Sequence, residues 1–114
     1  MSKALFAKEW AIQAALDECA ALKATPARSR KKGGRLLLAV LEQYPARRRN
    51  LGFALGLPHN IWAADCAVII VVHLVRLFLL GEYDLQTTLR NVDHLLCKAL
   101  ARVQAEISQQ VKCK

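Results

Sequence analysis

Glycine, proline and aromatic residues are all scarce in this chain, and each shortage excludes something. The five glycines and three prolines fall between long periodic stretches. The strands of a β-sandwich or barrel would need turn residues roughly every eight to twelve positions, so an all-β fold is not expected. Aromatics are 6% of a chain that is 54% hydrophobic, which leaves Leu, Ala, Val and Ile as the apolar set, a mixture that suits packed helices. Acidic residues are also few. Nine face 17 lysines and arginines, a net charge of +8, and that balance favours anionic partners such as nucleic acid or an acidic protein face.

The four cysteines, Cys19, Cys66, Cys97 and Cys113, form no C-x-x-C pair and no Cys/His pairing that a second pair could complete, so neither a metal nor a cofactor is expected. The opening MSKALFAKEW places Lys3, Lys8 and Glu9 ahead of any apolar run of secretion-signal length. A cytoplasmic protein with reduced thiols is the expectation.

At 114 residues the chain fits one helical domain spanning residues 1–114, which on folding can remove about two-thirds of its unfolded surface from water. Residues 2–24 contain neither glycine nor proline, and Leu5, Ile12, Leu16, Cys19 and Leu22 recur at spacings of three, four or seven. This pattern predicts an amphipathic helix, with Phe6 and Trp10 as a second apolar ridge that contacts something on another side. Residues 25–34, TPARSRKKGG, combine proline, two glycines and four cations, the composition of a flexible basic loop. A short buried helix is predicted over Arg35–Tyr44. Two or three turns follow from Pro45, ending at Gly56. The run NIWAADCAVIIVVHLVRLFLLG predicts a helix capped by Asn60 and closed by Gly81. Asp84 then caps a last helix, in which Leu85, Leu89, Val92, Leu96, Ala99, Val103 and Ile107 form a near-heptad stripe. The expected architecture is an all-α compact bundle of four to five helices.

Eight of the 17 cations lie between Arg28 and Arg49, so the charge is concentrated in one patch. Arg28, Arg30, Lys31, Lys32, Arg47, Arg48 and Arg49 form a candidate anion or nucleic-acid site.

The segment from Ala63 to Leu80 is nearly long enough to cross a bilayer. Asp65, His73 and Arg76 interrupt it, and Asp or Arg at a bilayer centre costs about 2.5–3.5 kcal/mol each, so a membrane span is not expected. At 100° per residue, Asp65, Ile69, Val72, His73, Arg76 and Leu80 share one stripe, apolar in the middle and charged towards its ends. Ile70, Val71, Leu74, Leu77 and Phe78 lie opposite and are expected to face the domain's own core. A helix apolar nearly all round is hard to bury within so small a domain, so the stripe is the candidate protein interface, in a homodimer or against another partner.

Residues 48–66 admit a helix-turn-helix about Leu55-Gly56-Leu57. Its second helix, however, would offer Trp62, Ala63, Ala64, Asp65 and Cys66 to the groove, in place of the Arg, Lys, Asn or Gln that read base edges. No nucleophile elbow, phosphate-cradling glycine loop or paired-carboxylate signature occurs, and Asp93, His94 and Cys97 are accounted for as a polar helix face. An enzyme is not expected.

A short, basic, all-α chain whose longest apolar helix exceeds what its own domain can bury resembles the small QslA-like quorum-sensing anti-activators that sequester bacterial transcription factors. The resemblance implies a homodimer that binds the ligand-binding domain of a LuxR-type activator and blocks that activator's dimerisation and DNA binding. Ile69, Val72 and Leu80 would be its anchors, and Asp65, His73 and Arg76 would set orientation. The alternative is a small basic nucleic-acid-binding protein or helix-turn-helix-like regulator.

Overall fold

A computed structural model describes residues 3–45 and 59–112, and these contain four α-helices, one 3-10 turn and no strand. The helices are α1 (Lys3–Lys23), α2 (Arg30–Leu41), α3 (His59–Leu79) and α4 (Leu85–Lys112), with the 3-10 turn at Ala27–Ser29. Helix α1 packs on α2 and α4, and α3 packs on the same two, so the four close into a ring. Gly33 at the start of α2 meets Leu22 at the end of α1, Gly34 meets Leu79 at the end of α3, and Lys23 of α1 pairs with Asp93 near the start of α4. Consecutive helices are therefore antiparallel, which gives an up-down-up-down bundle.

Each helix contributes one stripe to a common core. Ile12, Leu37, Val71, Val75, Val92 and Leu96 are almost wholly buried at its centre. Of the predicted α1 stripe, Leu5, Ile12, Cys19 and Leu22 are buried and Leu16 is half-buried. On α4, Leu89 through Val103 are buried at the predicted positions, with Leu85 and Ile107 half-buried at the ends. A stripe recurring at three and four keeps to one side of a helix, and one side is what a four-membered ring buries.

The caps are legible locally. Gly81 has φ +84°, in the left-handed region, and the Glu82 and Gly81 N–H groups donate to the Leu77 and Phe78 carbonyls, forming a Schellman motif. Three residues on, Asp84 Oδ2 accepts from the Thr87 N–H at 3.2 Å and opens α4. The Thr87 hydrogen bonds hold the Asp84 carboxyl below its ordinary value.

Three expectations need correction. Residues 25–34 do not form a basic loop, because the 3-10 turn occupies 27–29 and α2 already begins at Arg30. The paired glycines that suggested a loop serve instead as close-approach positions. A Cβ on Gly33 would lie 2.6 Å from Leu22 Cδ1, and one on Gly34 would lie 2.9 Å from Leu79 Cδ2. Helix α2 also ends at Leu41, not Tyr44. Helix α3 starts at His59, one residue before the expected cap Asn60. The short helix expected after Pro45, with Gly56 as its cap, lies outside the described residues, as do the helix-turn-helix turn and Arg47, Arg48 and Arg49.

Candidate functional site

Helix α2 has 12 residues against 21 in α1 and α3, so at 1.5 Å per residue it falls about 13 Å short of them. The bundle end beyond it is closed by a polar cluster. Tyr44 is buried and its hydroxyl donates to Asp65 Oδ1 at 2.7 Å. Lys8 Nζ lies 3.1 Å from the same oxygen and 5.7 Å from the centroid of the Tyr44 ring. Burial and the Asp65 carboxylate push the Tyr44 hydroxyl well above the usual phenol range, so it remains a donor.

This cluster reorients the stripe predicted on α3. Asp65 and Val72 are each 7% exposed and take part in the fold. Ile69 is half-buried, and Arg76 Nη2 lies 3.6 Å from Oε1 of Glu42, the C-cap of α2, in a half-exposed pair of small energetic weight. His73 is exposed, and Leu80, at 76%, stands out at the turn after α3. The six residues therefore do not form one free face: two are buried within the chain, and Arg76 pairs with Glu42 at the cap of α2. The reverse correction applies across the helix. Val71 is fully buried, as expected of the core-facing side, but Ile70 is 47% exposed.

Ile70 lies at a trough of about 220 Å³ between α3 and α4. Ala67, Leu95 and Ala99 line it together with Ile70, and two exposed cations of α4, Lys98 and Arg102, border it. Arg102 Nε also lies 3.6 Å from Glu106 Oε1 one turn on. Sequence reasoning missed this trough because α3 is apolar around most of its circumference, so its pattern does not say which side is left uncovered.

The predicted ridge of Phe6 and Trp10 is exposed on the outer side of α1, Trp10 at 55%. Of the basic patch, Arg28, Lys31 and Lys32 are exposed and Arg30 is half-buried. Asp93 is held by Lys23, while His94 and Cys97 are exposed. Burial, then the Asp93 carboxylate, pushes the Cys19 thiol up to about 12, and burial raises the Cys66 thiol as well. Among the described residues, no three His, Cys, Asp or Glu side chains converge to hold a metal ion, and no helix is long and apolar enough to cross a membrane. No protein-family model, curated protein or solved structure matches this chain.

Proposed function

We propose that the protein is a non-enzymatic helical regulator that binds a protein partner through the trough between α3 and α4. The observation that carries this is Ile70, an isoleucine left half in water beside a concave apolar surface between α3 and α4. Such a groove accepts the apolar ridge of a partner helix. Lys98 and Arg102 beside it, on a chain of net charge +8, favour a ridge flanked by acidic residues.

The resemblance to the QslA-like anti-activators gives the partner a class, the ligand-binding domain of a LuxR-type activator, kept from dimerising and hence from DNA. In the same proposal the chain is a homodimer. Phe6 and Trp10, exposed one turn apart on α1, are the side chains suited to that contact, since aromatic side chains are enriched at the centres of interfaces.

The test is titration calorimetry of the full chain against a purified LuxR-type ligand-binding domain, with light scattering on the chain by itself. Heat that Ile70→Glu abolishes and the Arg47-Arg48-Arg49 triple alanine leaves intact supports the proposal. A dimer that Trp10→Glu turns into a folded monomer supports its second half. No binding by the wild type would sink the activator partner.

A second function is favoured by one specific observation: Arg28, Lys31, Lys32 and Arg35 are all exposed at one end of the bundle. Nucleic-acid binding there would weaken linearly with the logarithm of salt concentration, and alanines at these cations would flatten that slope.

A further inference from the structure

At the bundle end remote from Tyr44, a cleft of about 600 Å³ opens between the end of α1 and the starts of α2 and α4. This is well within the range of small-molecule sites. Lys23, Arg30 and Arg90 line it from three different helices, and Asp93 is the one acid among its described lining residues. Lys23 Nζ donates to Asp93, so that carboxylate is already neutralised and does not repel an anion. Three cations against one carboxylate leave a surplus of two positive charges.

Two features show that this charge lacks a counterpart among the described residues. Arg30 is the first residue of α2, a helix that has no acid in its first turn and receives no side-chain cap from Ser29. Cations at the positive end of a helix dipole are unfavourable, and an anion relieves them. The Arg30 Nε–H is buried without a hydrogen-bond partner among the described residues. Leu85 and Leu89 supply an apolar wall, and Gln86 adds one neutral polar group.

We propose that the cleft bounded by Lys23, Arg30 and Arg90 is a binding site for a small phosphate monoester. The two guanidinium groups would hold the phosphate, and the organic part would lie against Leu85 and Leu89. Arginine suits this ligand because its planar fork matches phosphate oxygens in pairs. The site is separate from the α3/α4 trough, and its ligand is a candidate effector.

The test is calorimetry on the full chain at constant ionic strength, with inorganic phosphate and phenyl phosphate as probes. The expected result is one saturable site per chain that binds phenyl phosphate more tightly than inorganic phosphate, because only the former reaches the leucine wall. Arg90→Gln and Arg30→Gln should each weaken phenyl phosphate by about tenfold or more, as expected for a lost charge-assisted fork. The Lys31→Gln/Lys32→Gln double variant, which changes cations beside the cleft but not lining it, should bind as the wild type does. Arg90 is exposed, so its variant should retain the wild-type helical signal and melting temperature. Failure of phenyl phosphate to saturate the wild type at millimolar concentration would overturn the proposal. So would an equal loss in the Lys31/Lys32 variant, or binding of a DNA duplex that phenyl phosphate does not displace, since either would mark a diffuse polyanion surface.

Discussion

The Tyr44 hydroxyl donates a 2.7 Å hydrogen bond to Asp65 across 21 residues of sequence, tying the turn after α2 to the first turns of α3. With Lys8 on the same carboxylate oxygen, one acid of α3 joins α1 and that turn at the end of the bundle where α2 has run out. Tyr44→Phe removes one donor to a charged acceptor and should cost about 1.5–3 kcal/mol. Asp65→Ala strands both partners and should cost about 3 kcal/mol or more. Urea unfolding should rank the two in that order, and equal, negligible losses would show that the cluster does not hold the helices together.

Two residues on α3, Val72 and Ile70, should respond oppositely to the same substitution. Val72 is 7% exposed, so Val72→Glu buries an unpaired carboxylate and should unfold the chain or lower its stability by about 4 kcal/mol. Ile70→Glu projects into solvent and should stay within about 0.5 kcal/mol of wild type. Thermal melts followed by far-ultraviolet circular dichroism distinguish them.

Gly34 should tolerate a methyl group better than a longer side chain. Gly34→Ala must move the end of Leu79 and shift the Phe78 ring, whose Cε2 lies 3.1 Å from the new Cβ, but regains about 1 kcal/mol of helix propensity, so its net effect should be small. Gly34→Leu must push α2 away from α3 and should cost about 1–3 kcal/mol. Comparable unfolding midpoints for the two variants would contradict the close approach of these helices.

Asp84 gives stability a dependence on acid pH. Its folded-state carboxyl lies below the ordinary 3.8, so its contribution is fully present above that value and is lost as the pH falls through the lower folded value. In Asp84→Ala this component of the acid limb should vanish while the remainder is kept. Denaturant midpoints measured from pH 6 down to about pH 2 would detect it.

The thiols should differ in reactivity according to burial. Of the three described thiols, Cys97 is exposed and should be alkylated first by iodoacetamide. Cys66, half-buried with a raised thiol, should follow more slowly. Cys19, fully buried and pushed up to about 12, should react only on unfolding. Peptide mass mapping over time gives the order, and early labelling of Cys19 would mean that α1 opens readily.

Much of this architecture was legible in the sequence because the relevant forces act within a few residues. The stripe from Leu89 to Val103, the Asp84 cap and the left-handed Gly81 each follow from a spacing or a single side chain, and each appears at the predicted position. Segment 25–34 misled for an instructive reason. Its glycines and cations are loop-like by composition, but α1 and α3 approach α2 so closely there that a long side chain would force the helices apart.

The sequence by itself determined that this chain is helical, where most of its helices turn, and which faces of α1 and α4 are buried, since those faces are marked by contrast with polar neighbours. On α3 that contrast is missing. Only the tertiary structure decided that Asp65 and Val72 turn inwards and Ile70 outwards, because what covers that side lies elsewhere in the chain: Asp65 is held by Lys8 on α1 and by Tyr44 in the turn after α2. The cleft of Lys23, Arg30 and Arg90 is hidden from the sequence for the same reason: its three cations are drawn from three helices and meet only when the bundle closes.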